Sequence, residues 1–192
     1  MPRSNKKISS KNFYKFKNNF VDIKKRLIDT LDAFEEKQLL EVEKVSEILY
    51  ETFKVGKKVI WCGNGGSASQ ADHLAAEFVG RYKLKDRKPL NSISLTSNNA
   101  LLTAIGNDYC YEDIFSRQLI AIANQGDSLV VLSTSGKSPN ILKSIKVGKE
   151  LGLNVISIFG IRNEDIENNS DICININSPF TSHVQELHLF IG

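Results

Sequence analysis

The spacing of hydrophobic residues changes near residue 55. Before it they recur at helical intervals, first Phe20, Ile23, Leu27 and Leu31, then Leu39, Leu40, Val42, Val45, Ile48, Leu49 and Phe53. A period near 3.6 predicts two amphipathic helices across residues 10 to 55. Beyond it, short unbroken apolar runs alternate with helix-compatible stretches. The runs predict strands at 58–62, 92–95, 128–133, 155–159 and 171–176, and the stretches predict helices at 67–82, 98–106, 112–124 and 139–151. Residues 163–170 read as a polar loop, and residues 184–192 as the opening of a further helix. Alternation of this kind defines an α/β fold: a five-stranded parallel sheet flanked by helices on both faces, preceded by the N-terminal helices.

Length and composition fit that pattern. A chain of 192 residues with 41% hydrophobic content can bury a sizeable core, and it shows no internal repeat or low-complexity linker. A single domain over 1–192 is expected, with 1–55 as its helical N-terminal segment and 56–192 as its core. No run of about twenty apolar residues occurs, and Met1-Pro2-Arg3-Ser4-Asn5-Lys6-Lys7 is not followed by the apolar stretch of a signal peptide. The expectation is a soluble, cytoplasmic protein with no membrane partner. Cys62, Cys110 and Cys173 are odd in number and lack CxxC spacing, which favours reduced thiols.

The net charge of +3 conceals an asymmetry. Arg3, Lys6, Lys7, Lys11, Lys15 and Lys17 give residues 1 to 17 six basic and no acidic side chains, leaving 19 basic against 22 acidic elsewhere. Such an arm can bind nucleic acid. Here Phe13, Tyr14 and Phe16 lead into helix-spaced apolar residues, so a solvated helix entry is expected and no nucleic-acid partner.

Two turns carry the candidate chemistry. Gly63-Asn64-Gly65-Gly66-Ser67 follows the apolar run Val59 to Cys62 and opens into a helix; Ser133-Thr134-Ser135-Gly136-Lys137-Ser138-Pro139 follows Leu129 to Leu132 and does the same. Each would aim backbone N–H groups and hydroxyls at an anion. Neither has the Gly-x-Gly-x-x-Gly or P-loop spacing of a nucleotide site. A small sugar phosphate is the expected ligand. Between the turns, His73 and Glu77 stand four residues apart on one face of a predicted helix, within reach of one ion or substrate atom.

Four segments, Cys62 to Tyr82, Ala104 to Arg117, Ser133 to Asn140 and Gln185 to His188, resemble the sugar isomerase (SIS) family and, within it, the phosphoheptose isomerases. The resemblance runs from about Val55 to the end of the chain. It implies conversion of sedoheptulose 7-phosphate to D-glycero-D-manno-heptose 7-phosphate through an enediol, for heptose biosynthesis. It places phosphate contacts on Ser133, Thr134, Ser135 and Ser138, and sugar contacts on Asn64, Gly65, Gly66, Ser67, Asn107 and Asp108. Zinc ligands and catalytic groups fall on His73, Glu77 and Gln185, of which Glu77 and Gln185 also contact substrate, and the assembly implied is a homotetramer with sites shared between subunits.

Moving a proton between two carbons requires a base beside them, and Glu77 is the candidate. Imidazole and oxygen donors suit one Zn2+ per subunit. The family's last histidine ligand would fall at position 193, and the helix running to Gly192 reads as cut short; His188 matches a family histidine that is not a ligand. Two other readings belong to different classes. One is a non-catalytic phosphosugar-binding regulator resembling the replication-initiator-associating protein of the same family; the other is a structural subunit made inert by the missing C-terminus. Glu77 favours the enzyme over the regulator.

Overall fold

The apolar runs form five strands, β1 (Val59–Gly63), β2 (Ser92–Ser94), β3 (Ser128–Ser133), β4 (Asn154–Phe159) and β5 (Ile172–Asn175), in a computed structural model that describes residues 10–34 and 36–192. All neighbouring strands pair in parallel, in the order β2-β1-β3-β4-β5. Every residue of β1 and β3 is buried, which explains why their sequences run apolar without alternation.

The helices are α1 (Ser10–Asp32), α2 (Glu36–Lys54), α3 (Gly66–Val79), α4 (Asn99–Asp108), α5 (Ser116–Ile122), α6 (Pro139–Glu150), α7 (Glu164–Asn169) and α8 (Thr181–Ile191). A 3-10 turn at Tyr111–Asp113 and α5 together replace the single helix expected at 112–124. The segment 163–170, expected to be a loop, contains α7. Its cause is local: the Asn163 side chain caps the helix by accepting from the Asp165 N–H at 2.8 Å, and Glu164, Asp165 and Glu167 suit the positive end of the dipole. One buried residue, Ile166, anchors it. A single apolar position shows no periodicity.

The chain divides into two units, residues 1–34 and 35–192. The first holds α1, in which Arg26 Nε donates to the Asp22 carbonyl and Thr30 Oγ1 to the Arg26 carbonyl. Arg3, Lys6 and Lys7, and the side chains of Lys11, Phe13, Tyr14, Lys15 and Lys17, lie outside the described residues. The second unit includes α2, which buries Val45, Leu49 and Thr52 and joins the sheet through a 2.6 Å hydrogen bond between the Thr52 and Ser128 hydroxyls.

Its core includes Ile60, Leu129, Val131, Ile141, Ile145, Val155 and Phe159. At the N-terminal edge of the sheet, buried Asp127 accepts from Lys58 Nζ at 2.6 Å and from the backbone N–H groups of Lys58 and Asn124. These three donors make burial of a carboxylate tolerable.

β1 and β3 are neighbours, yet the chain leaves β1 toward β2 on one side and β3 toward β4 on the other. The strand order therefore reverses between them. Gly63 pairs with Leu132, so the turns that leave the two strands begin at the same level. Open α/β sheets hold ligands in this crevice, beyond the carboxyl ends of the strands.

Candidate functional site

The first turn depends on glycine at three successive needs. A Cβ on Gly63 would lie 2.7 Å from the Ser67 carbonyl oxygen, Gly65 has a φ of 56°, and a Cβ on Gly66 would strike the side-chain amide of Gln185. Backbone N–H groups of Ser67 and Ala68 bond back to the carbonyls of Asn64 and Gly65, closing the turn into α3. Ser67 is buried at its base.

The second turn is held by its own hydroxyls. Ser133 Oγ accepts from the Gly136 N–H at 3.1 Å and Ser135 Oγ from the Lys137 N–H at 3.2 Å. Gly136, at φ 63°, passes so close to Ile161 that a Cβ would sit 2.8 Å from its carbonyl oxygen. Ser138 stands at the N-cap of α6 with no side-chain capping bond, and Pro139 starts the helix. Each serine hydroxyl is both donor and acceptor. Ser133 and Ser135 thus shape the loop with their oxygens while their protons stay available to an anion.

His73 and Glu77 share one face of α3, with Nε2 and Oε1 3.8 Å apart. They line a 740 Å³ cavity with Tyr82, Lys83, Arg87 and the end of α8. Arg87 closes the C-terminal end of α3 by donating to the carbonyls of Phe78 and Glu77, both at 2.8 Å. Sequence analysis did not single it out. Its signal was a basic residue just past a helix end, where free carbonyls need donors.

The expected site residues are spread over several elements. At 1.5 Å per residue, His73 is about 10 Å and Glu77 about 16 Å along α3 from Gly66, so the pair is set back from the glycine turn. Gln185 lies against Gly66, and its backbone carbonyl accepts from Gln70 Nε2 at 2.6 Å. Asn107 donates to Asp108 at 2.8 Å, and Asp108 lines a separate 450 Å³ cavity with Tyr109, Arg117 and Gln118.

The donors present meet the needs of a zinc site only in part. His73 and Glu77 offer suitable atoms, but among the described residues no group of three His, Cys, Asp or Glu comes together, and the Gln185 side chain is packed on Gly66. Catalytic zinc takes three protein ligands. Two donors do not complete that set. His188 supplies no third ligand: it is fully buried and neither ring nitrogen has a partner. Cys62 is buried beneath the first turn, and burial pushes its thiol up to about 12, which leaves it unreactive.

Fold and site together define a doubly wound α/β domain with paired glycine- and hydroxyl-rich turns at its switch point. The SIS domain family model matches residues 24–160. A phosphoheptose isomerase of Akkermansia muciniphila is 43% identical over 79% of this chain and 80% of its own length. Its counterpart in Clostridium acetobutylicum is 45% identical over 79% of this chain and 77% of its own. The solved phosphoheptose isomerase of Neisseria gonorrhoeae superposes with a TM-score of 0.85 at 31% identity, covering 92% of this chain and 94% of that one. The chain belongs to the SIS domain family and, within it, to the phosphoheptose isomerases.

Proposed function

We propose that this protein is an aldose–ketose isomerase that converts sedoheptulose 7-phosphate to D-glycero-D-manno-heptose 7-phosphate for heptose biosynthesis. The observation that carries the reading is the pair of glycine- and hydroxyl-rich turns at one level on either side of the switch point. A phosphate in the Ser133–Ser138 turn would be met by backbone N–H groups and hydroxyls of Ser133, Thr134, Ser135 and Ser138. Contacts to charged acceptors of this kind are stronger than neutral ones. Asn64, Gly65, Gly66 and Ser67, with Asn107, Asp108 and Gln185, would hold the sugar.

Glu77 is the base of this reading. Its carboxylate takes a proton from C1 of the ketose as O2 gains one, giving an enediol, and returns a proton to C2 as O1 loses its own, leaving the aldehyde at C1. His73 shares its helix face, with Nε2 3.8 Å from the Glu77 Oε1. From its membership of the phosphoheptose isomerases we infer a homotetramer in which sites are shared between subunits. Zinc also belongs to this proposal rather than to the observed geometry: His73 and Glu77 would contribute two ligands, and Gln185 a third only after leaving Gly66. A cytoplasmic location is supported by three free cysteines, since reducing compartments keep thiols unpaired.

Glu77→Gln keeps size and hydrogen bonding but removes the base. It is expected to reduce turnover by about 10²- to 10⁴-fold with an unchanged circular dichroism spectrum. Activity like that of the wild type in this variant would move the base elsewhere and overturn the assignment.

A further inference from the structure

The two turns are joined by their own side chains. Asn64, first after β1, and Asn140, second in α6, face each other as a reciprocal amide pair. Asn64 Nδ2 donates to Asn140 Oδ1 at 2.9 Å, and Asn140 Nδ2 donates to Asn64 Oδ1 at 2.8 Å. Each oxygen has one further donor. Asn140 Oδ1 accepts from the Ile141 N–H at 3.0 Å, and Asn64 Oδ1 from the Tyr111 hydroxyl at 3.2 Å. A carboxamide oxygen accepts two hydrogen bonds, so both oxygens are saturated within the protein.

This arrangement also fixes direction. Turning the Asn140 amide over would set its NH₂ against the Ile141 N–H, two donors face to face. The first turn of α6 therefore dictates how Asn140 points, and Asn140 dictates how Asn64 points. Asn140 is 1% exposed, where an unmet amide would cost the full desolvation of that group. The 3-10 turn that carries Tyr111 is itself tied to α6 by Lys143 and Asp113, 2.5 Å apart.

We propose that Asn140 is a positioning residue: the Asn64–Asn140 pair locks the sugar-binding and phosphate-binding turns at a fixed separation across the switch point, so that a substrate spanning both is held in register. The inference rests on the isomerase reading, because only a ligand that bridges the turns needs their spacing held. It assigns the Asn64 side chain to the frame of the site and its backbone to the ligand. A purely architectural pair would stabilise the fold without regard to which ligand is bound.

The experiment compares wild type, Asn140→Asp, Asn64→Asp and Tyr111→Phe. Aspartate keeps the shape of asparagine but cannot donate across the pair. Four quantities are read: the thermal midpoint, the dissociation constant of inorganic phosphate, and kcat and KM for sedoheptulose 7-phosphate. Inorganic phosphate needs only the Ser133–Ser138 turn; the sugar phosphate needs both.

Asn140→Asp and Asn64→Asp each add a negative charge near the phosphate turn and are expected to weaken phosphate binding by no more than about fivefold, while lowering kcat/KM by about a hundredfold, as misplacement by an ångström does. Tyr111→Phe, at an exposed bond, is expected to change kcat/KM by less than about threefold. Unchanged kcat/KM in Asn140→Asp would overturn the proposal. So would a parallel loss of phosphate binding, turnover and thermal midpoint. Should Asn140→Asp fail to fold, Asn64→Asp at its half-buried position decides by the same comparison. Absence of turnover in the wild type would overturn the isomerase reading alone, since calorimetric binding of phosphate against sugar phosphate still reads the spacing of the turns.

Discussion

His188 is sealed inside the second unit with both ring nitrogens unpaired, and burial pushes its pKa down to about 4. In the unfolded chain a histidine binds its proton near pH 6.5. Below that pH the unfolded state takes up a proton that the folded state refuses. Stability is therefore complete above about pH 6.5 and falls as the pH is lowered toward 4, by up to about 3 kcal/mol for a shift of this size. His188→Leu is expected to flatten that slope, measured as denaturation midpoints at pH 7.5, 6 and 5; identical slopes in both proteins would place the titration on another group. Asp127 acts at lower pH. Burial works to raise its pKa, but hydrogen bonds from the Lys58 side chain and backbone and from Asn124 outweigh it and hold it below the usual range. Its contribution is present above about pH 4 and is lost as the pH falls through the folded value. Asp127→Ala strands the Lys58 ammonium and should cost about 3 kcal/mol by urea denaturation; a loss below about 0.5 kcal/mol would show that the pair contributes little. Neither role was legible beforehand, because a residue's name does not reveal whether its neighbours supply partners.

At the scale of elements, the strands were legible to within a residue or two, since five unbroken apolar runs have few other uses in a chain of this size. α7 was not, for it rests on a cap and one anchor. The turn before α6 tests the site at this scale. Gly136 combines a positive φ with a backbone oxygen where a Cβ would go, so Gly136→Ala should destabilise the fold by about 1 to 3 kcal/mol and weaken phosphate binding. Phosphate affinity equal to that of the wild type in this variant would show that the turn does not hold the anion. By contrast, Ser135→Ala with Ser138→Ala removes hydroxyls from an intact loop. It should raise KM for the sugar phosphate much more than it lowers the thermal midpoint. Turnover of the unphosphorylated sugar at the same rate as the phosphorylated one would remove the reason for the turn.

Across the whole molecule, the distance between the turns and the His73–Glu77 pair makes assembly the decisive test. The 21.5 kDa chain is expected to sediment as a tetramer. Mixing Glu77→Gln with the Ser135→Ala, Ser138→Ala variant should then give more activity at low substrate than the two show separately; no gain after subunit exchange would confine each site to one chain. Among the described residues no helix is long and apolar enough to cross a membrane. The sequence by itself determined the class of fold, because periodicity follows from which faces are buried, and it marked both turns, because glycine and hydroxyl residues after a strand have local causes. Family membership, too, was readable from four short segments. Only the tertiary structure decided that β1 and β3 are neighbours across a reversal of strand order, that Gln185 rests on Gly66, and that Asn64 answers Asn140 from 76 residues away. Those relations depend on how distant segments pack, and no local pattern of hydrophobic and polar residues encodes a hydrogen bond between two turns.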